Sequence, residues 1–323
     1  MVKTVTVTVP GTTANLGPGF DCIGAALTLY NKFKFTRVDA SERVGIAVTG
    51  AEAHLVKTDE SNLVYQAFVK FYEQLGRIAP SVQIEIELGV PLARGLGSSA
   101  TAIVGGLVGA NQLAGMPLSQ WEVMELAISL EGHPDNVVPA LLGGCCLAAS
   151  GRGNEPPRRG GRQEGEGEGF GGWVVCDVPW HGSVVPVVAI PDFELSTREA
   201  RRVLPNEVSR ADAIFNTAHL GLLVRGLESG RGDWLRAALQ DRLHQPYRQG
   251  LISGYEAVSS AAAAAGALGI VISGAGPTLL ALVDAAQASE VAAAMGAAWK
   301  EVGIVAQVRS LSIDTQGVRS FTE

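Results

Sequence analysis

Residues Pro91-Leu92-Ala93-Arg94-Gly95-Leu96-Gly97-Ser98-Ser99-Ala100-Thr101 constrain this chain more than any other stretch. Residues 82–88 before them alternate apolar and polar side chains, the period-2 pattern of a half-buried strand. Residues 102–111 behind them are small and apolar, as a buried helix is. A glycine-rich connection is therefore expected at a helix N-terminus. Backbone N–H groups there lack intrahelical partners, and the helix dipole adds partial positive charge. Such a loop suits a phosphate group. Gly95 and Gly97 are read as letting backbone approach it closely, and Ser98 and Ser99 as adding hydroxyls for phosphate or Mg²⁺. Neither common phosphate-binding loop fits. No Lys follows Gly97, as G-x-x-x-x-G-K-[ST] requires, and Ala100 stands where G-x-G-x-x-G has its third Gly. On the loop alone, an ordinary glycine turn between strand and helix stays open.

Composition narrows the function classes. The 323 residues suffice for two lobes, and 47% hydrophobic content makes the chain globular rather than disordered. With 25 Lys and Arg against 32 Asp and Glu, the net charge of −7 offers no global attraction to nucleic acid or an anionic membrane. A local basic pocket for an anionic ligand is compatible with it. Cys22, Cys145, Cys146 and Cys176 form no C-x-x-C pair and have no His at metal-ligand spacing, which suits a reducing cytoplasm. Adjacent Cys145 and Cys146, in an apolar stretch, read as core. The chain opens directly on a strand pattern without a signal peptide, and no apolar run is long enough to span a membrane. The alanine-rich run 259–268 fits a packed helix.

Strand patterns are expected at 5–9, 141–149, 173–176, 184–190 and 268–272, and residues 10–21 as irregular. Helices are expected at 62–75, 119–130, 198–204, 209–226, 234–243 and 290–302. Ser119 is the N-cap of the second, with Glu122 three residues on. Residues 151–172 contain only Phe170 as an apolar side chain and read as a flexible, low-complexity surface loop. Strands and helices mix without strict βαβ alternation, so the fold class is α+β. An N-terminal lobe over 1–181 and a C-terminal lobe over 182–323 are expected.

Three segments carry a family likeness: Pro10-Gly11-Thr12-Thr13-Ala14-Asn15-Leu16-Gly17-Pro18-Gly19-Phe20-Asp21, the glycine loop, and Ile272-Ser273-Gly274-Ala275-Gly276-Pro277-Thr278. In this order the chain resembles the GHMP small-molecule kinases over nearly its whole length, residues 151–172 apart. Within that family it is similar to the members that phosphorylate homoserine. Thr12-Thr13, rather than a Lys, follows Pro10-Gly11. Gly132-His133-Pro134-Asp135-Asn136-Val137 stands where mevalonate-type members have P-S-G-x-D, and Ser196-Thr197-Arg198-Glu199-Ala200-Arg201-Arg202 matches as well. The resemblance implies a two-lobed α+β fold with its site between the lobes. It implies ATP-dependent phosphorylation of the L-homoserine side-chain hydroxyl to O-phospho-L-homoserine, with Mg²⁺, feeding threonine biosynthesis. The alternatives are a member acting on another small alcohol and a non-catalytic member of the fold. Family members are often homodimers, but no apolar stripe here marks a contact.

Homoserine is a zwitterion with a primary hydroxyl. A site for it needs an acid for the ammonium, an arginine for the carboxylate, and a phosphate donor aimed at the hydroxyl. The resemblance puts Asn15 and Asp21 on the amino acid, with Asp21 toward the ammonium; both residue types also favour Gly/Pro turns. It puts Arg201 and Arg248 on the carboxylate. Arg248 lies in Gln245-Pro246-Tyr247-Arg248, with Gln where the family has Glu. Taken singly, any of these arginines, and neighbouring Arg198 and Arg202, reads as a solvated helix face. His133 is implied to contact the amino acid rather than act as a base. Ser98 and Glu131 are implied to hold Mg²⁺, with Glu125 the other carboxylate to weigh. No strong general base is expected, because phosphoryl transfer runs largely on positioning. Asn136 and Thr197 would orient the hydroxyl with Arg201 beside them, and Asp135 is the competing base. Asn62 and Leu63 match the adenine side, although Asn62 is also a good N-cap. Gly274 and Gly276 would bring a turn against substrate and phosphate. His54, His181, His219 and His244 carry no motif and read as surface or core residues.

Overall fold

The computed structural model describes residues 3–39, 43–151 and 172–322. In chain order the strands are β1 (Thr4–Ala14), β2 (Ile23–Arg37), β3 (Val44–Thr49), β4 (Val82–Glu87), β5 (Cys145–Ser150), β6 (Trp173–Asp177), β7 (Val184–Pro191), β8 (Gly269–Ile272), β9 (Leu279–Asp284), β10 (Ala306–Ser310) and β11 (Arg319–Thr322). The helices are α1 (Leu63–Gln74), α2 (Ser98–Leu113), α3 (Gln120–Glu131), α4 (Pro134–Leu142), α5 (Thr197–Arg202), α6 (Arg210–Ser229), α7 (Gly232–Ala238), α8 (Gln245–Arg248), α9 (Tyr255–Ala264) and α10 (Ala288–Glu301). One sheet runs β11-β1-β2-β4-β3, with β5 also on β2 and β6 on β5; a second runs β10-β7-β9-β8. The fold is α+β. None of the described helices is long and apolar enough to cross a membrane.

Side-chain alternation sets the faces of the first sheet. Thr and Val alternate along β1, and Val5, Val7 and Val9 are fully buried on one side. Phe33 and Phe35 of β2 share that side, and α2 lies across them. The small residues of α2 now have a reason. A Cβ on Gly105 would fall 2.5 Å from the Phe33 ring, and one on Gly109 would fall 2.4 Å from the Phe35 ring. On the opposite face, a Cβ on Gly106 would meet the Val64 carbonyl of α1 at 2.4 Å. The helix is pressed between a sheet and another helix, and its first turn is thereby fixed relative to both.

A second core joins the lobes. Leu16, Ile23 and Leu96 pack with Val188 of β7, Leu280 of β9 and Leu239 after α7. Burying one such aliphatic side chain contributes about 2 kcal/mol, so the junction is a packed interior. A third core lies between the second sheet and helices α9 and α10.

Several local expectations give way. Residues 10–14, expected to be irregular, continue β1: Pro10 pairs with Tyr30, and a bulge between Pro10 and Thr12 absorbs the missing N–H. The strand expected over 141–149 begins only at Cys145. Leu141 and Leu142 belong to α4, and Gly143 and Gly144 turn the chain at φ 81° and 69°. Neither β2 nor α4 is among the expected elements. Of the later helices, α7 starts at Gly232 and stops at Ala238, and α9 starts at Tyr255, ahead of the alanine run. The loop expected at 151–172 falls, apart from Gly151 and Gly172, outside the described residues. Past residue 182, β7 to β10 form the second sheet, whereas β11 returns to pair with β1.

Candidate active site

Ser98 is the first residue of α2, and Gly97 before it is an N-cap in the left-handed region with no side-chain cap. This open helix end faces a cavity of about 320 Å³ at the lobe junction. Ala93, Arg94, Gly95, Gly97, Ser98 and Ser99 line it from the loop. The two loop glycines serve packing first. Both have positive φ, 74° and 69°; a Cβ on Gly95 would lie 2.2 Å from the Ser273 carbonyl, and one on Gly97 would lie 2.0 Å from the Thr12 hydroxyl. The three motifs therefore close on one another through these contacts. Asn31 clamps the loop to its helix. Its Oδ1 accepts from the N–H groups of Gly89 and Val90 at 2.9 Å each, and its Nδ2 donates to Thr101 Oγ1 at 2.8 Å.

On the opposite wall the residues expected to bind the amino acid come together. Arg201 donates from Nη1 and Nη2 to the two oxygens of Asp21, at 2.9 and 2.7 Å. That bidentate bond, ahead of the other nearby carboxylates, holds the guanidinium above its ordinary pKa. Asn15 donates to the Gly274 carbonyl at 2.7 Å and accepts the Asp21 N–H at 3.0 Å, tying the first motif to the third. Asn15, Leu16 and Asp21 all have positive φ, which Asn and Asp tolerate and a buried Leu does not adopt freely. Arg248 is 2% exposed and has no ion pair among the described residues. Its Nε donates to the Ala200 carbonyl and its Nη1 to that of Gly274, each at 3.1 Å. Burial and then the neighbouring Arg201 push its pKa down. Phe20 lies under both guanidiniums, its ring centroid 5.6 Å from Arg201 Cζ and 5.1 Å from Arg248 Cζ.

The floor is the junction of α3 and α4. Gly132, at φ 90°, ends α3 immediately after Glu131, and Pro134 opens α4. This tight turn presents Glu131, His133, Asp135 and Asn136 to the cavity. Asn136 Oδ1 accepts the Thr12 hydroxyl at 2.7 Å, and its Nδ2 lies 3.4 Å from Asp135 Oδ1. His133 Nδ1 is 2.5 Å from the same Asp135 oxygen. Burial opposes charge on His133, but the bond to Asp135 and the nearby carboxylates outweigh it and raise its pKa. Glu131 has its pKa raised by burial, against the pull of the Ser99 hydroxyl 2.8 Å away. The serine bonded to Glu131 is thus Ser99; Ser98, expected as its metal-binding partner, lines the same cavity one residue earlier. A hydroxyl and a carboxylate beside the open N-terminus of α2 are hard oxygen donors of the kind Mg²⁺ takes, so the residues fit that ion.

Ser98 and Ser99 also line a second, more apolar cavity of about 260 Å³, with Phe33, Leu55, Val56, Lys57, Asn62 and Leu63. Asn62 caps α1, accepting the Val64 N–H at 2.9 Å, and donates to the Lys57 carbonyl at 2.6 Å. Its capping role and its place in the cavity wall coexist.

Not every loop residue faces ligand space. Leu96, Ala100 and Thr101 are fully buried scaffold, and Pro91 lines neither of these cavities. Arg94 lines the first cavity, while its guanidinium donates to the carbonyls of Leu92, Pro191 and Asp192 at 2.8, 3.1 and 3.0 Å, bracing the loop against the end of β7. Glu125 lines neither cavity, whereas Glu131 lines the first. Thr197, Gly274 and Gly276 line the first cavity. Sequence reasoning passed over Thr12, Phe20, Asn31 and His244. Thr12 and Phe20 sit inside the first motif, and that position was the available signal.

Residues 62–144 match the family described as GHMP kinases N terminal domain, and residues 223–301 match GHMP kinases C terminal. A homoserine kinase of Trichormus variabilis is 69% identical over 98% of this chain and 99% of its own length. One of Microchaete diplosiphon is 70% identical over 100% and 99%. Among solved structures, a homoserine kinase from Cytophaga hutchinsonii superposes with a TM-score of 0.84 at 29% identity, over 99% of this chain and 98% of that one.

Proposed function

The chain belongs to the GHMP kinase family, and on that premise we propose that it transfers the γ-phosphoryl group of ATP to the side-chain hydroxyl of L-homoserine. The products are O-phospho-L-homoserine and ADP, a step of threonine biosynthesis. One observation carries the reading. Asp21, Arg201 and Arg248 line the same cavity as Ser98 and Ser99 at the N-terminus of α2. A carboxylate and two guanidiniums beside a phosphate-binding helix end match an α-amino acid waiting for a phosphoryl group.

The adenine would occupy the second cavity, against Leu55, Val56, Asn62 and Leu63. The polyphosphate would cross at Ser98 and Ser99, which both cavities share. Asp21 takes the acceptor ammonium, and Arg201 and Arg248 take its carboxylate, with Asn15 and His133 beside them. Asn136 and Thr197 orient the side-chain hydroxyl, and Arg201 adds positive charge near the transferring group. Thr12 holds the Asn136 amide in one orientation through its hydrogen bond to Oδ1. The acceptor oxygen forms its bond to the γ-phosphorus as the bond to ADP breaks, and the hydroxyl proton is released. A loose transition state needs little push from a base, so positioning supplies most of the rate. Ser98 and Glu131 would hold Mg²⁺, which neutralises charge on the phosphates when bound. The four free thiols suit a reducing cytoplasm.

The test is ADP release from Mg-ATP with L-homoserine, L-threonine, L-serine, mevalonate and galactose as acceptors. A selective signal with L-homoserine is expected. A stronger signal with another acceptor would keep the phosphoryl transfer and overturn the assignment of Asp21, Arg201 and Arg248 to a zwitterion.

A further inference from the structure

His244 carries no motif, yet it is fully buried against the substrate wall. We propose that it is a positioning residue for the carboxylate grip: its neutral imidazole, fixed as the Nε2–H tautomer, sets the Arg248 guanidinium. The proposal rests on the amino-acid reading of the cavity.

Two partners decide the tautomer. Nε2 lies 2.8 Å from the Gly17 carbonyl, which can only accept. Nδ1 lies 3.4 Å from Arg248 Nη1, which can only donate. The proton therefore belongs on Nε2 and the lone pair on Nδ1. An imidazolium would set a second N–H against the guanidinium, donor to donor, on a fully buried ring. Burial above all lowers the His244 pKa, with the Arg248 charge acting the same way against Asp241. The Asp241 carboxylate is 3.6 Å from Nε2 and is already engaged, its Oδ2 accepting the N–H groups of His244 and Gln245 at 2.9 and 2.7 Å.

The ring touches the substrate wall on three sides. Gly17 belongs to the first motif; Phe20, stacked on the imidazole at 5.2 Å and 22°, belongs to it as well; Arg248 is the third. With Nε on the Ala200 carbonyl and Nη1 shared by Gly274 and His244, Arg248 Nη2 has no partner among the described residues, while Arg248 itself lines the cavity. His244 thus fixes the plane in which that free N–H pair meets a carboxylate, and it couples that plane to the loop bearing Asp21. A residue that merely filled space would need neither nitrogen.

The deciding variant is His244→Phe, which keeps the ring stack on Phe20 and removes both polar atoms. The KM for L-homoserine should rise about tenfold, the scale of one hydrogen bond to a charged group. The KM for ATP and kcat should stay within about twofold. The preference in kcat/KM for L-homoserine over 3-aminopropan-1-ol, which lacks the carboxylate, should shrink by the same factor. An unchanged KM, or an equal loss for both acceptors or for ATP, overturns the proposal. Long-range ¹H–¹⁵N spectra of the wild-type protein test it even if the variant does not fold. Nδ1 should be unprotonated from about pH 6 to 8 and should shift on adding L-homoserine but not ATP. An Nδ1–H tautomer or an imidazolium in that range overturns the proposal. Wild-type turnover of L-homoserine is measured first; its absence would fall on the acceptor assignment, while the tautomer would still be decided by the spectra.

Discussion

Arg201 and Asp21, 180 residues apart in sequence, grip each other through two parallel hydrogen bonds of 2.9 and 2.7 Å on the wall of the cavity. These are the groups assigned to the carboxylate and the ammonium of the acceptor. On that proposal, an arriving zwitterion would exchange one ion pair for two, whereas a ligand carrying only one of the two charges would break the pair and leave Asp21 or Arg201 without a partner. The pair would thereby favour α-amino acids.

Replacing Asp21 with Asn should raise the KM for L-homoserine roughly a hundredfold, because truncating one partner of a hydrogen-bonded charge pair costs a few kcal/mol. The KM for ATP should stay nearly constant. Steady-state kinetics with each substrate varied in turn checks this, and equal effects on both would place Asp21 outside the acceptor subsite.

Asn136 and Asp135 separate orientation from base catalysis. Asn136→Ala, and more mildly Thr12→Val, should lower kcat with little change in either KM; about a hundredfold is expected for the first, on the scale of a lost positioning contact. Asp135→Asn should retain turnover within roughly tenfold, since its Oδ1 serves to hold His133 and Asn136. Collapse of kcat in Asp135→Asn, with both substrates still binding in calorimetry, would make Asp135 the base.

Burial raises the pKa of Glu131, so its charged form is lost at a higher pH than that of a free glutamate. Activity should therefore fall as pH drops through that raised value. Because metal competes with the proton, excess Mg²⁺ should move the acid limb to lower pH. Rate profiles at low and high Mg²⁺ make the comparison, and a limb indifferent to Mg²⁺ would belong to another group, such as His133.

Removal of residues 152–171 should leave the site intact. Ser150 and Trp173 are paired across β5 and β6, and Gly151 N–H donates to the Gly172 carbonyl at 2.6 Å, so the strands already meet there. Joining 151 to 172 through an Asn-Gly turn should leave kcat/KM within about twofold and the unfolding midpoint nearly unchanged. A large loss of turnover would give that segment a part in catalysis.

The parts of the fold that were legible in sequence are those with local causes. Ser119 and Glu122 form the capping box their spacing announces, and Asn62 caps α1. Glycines flanked by a strand pattern and an apolar run mark the loop between β4 and α2. Other features depend on partners far away in sequence. Pro10 to Ala14 looks irregular until β2 and a bulge accommodate it. Leu141 reads as strand because apolar residues continue past it, although Gly143 and Gly144 break the run and Pro134 is a helix-start signal. The bracing of Arg94 against the end of β7, beside its place in the cavity wall, is likewise invisible in the loop's own sequence. His244 has no local signature at all, because its meaning comes from Gly17, Phe20 and Arg248, and only tertiary packing assembles them.

The pairing of β11 with β1 has a bearing on how the molecule is made. Val5 meets Thr322 and Thr8 meets Arg319, so β1, the first of the described strands to be synthesised, waits for β11, the last of them, before its outer edge is covered. The second sheet, whose strands all lie between residues 184 and 310, completes its pairing earlier in synthesis. Contacts of such long sequence separation slow folding, and an uncovered edge on β1 is open to pairing with other chains in the meantime. The last strand is thus a clasp, and a nascent chain lacking it is the species most in need of a chaperone.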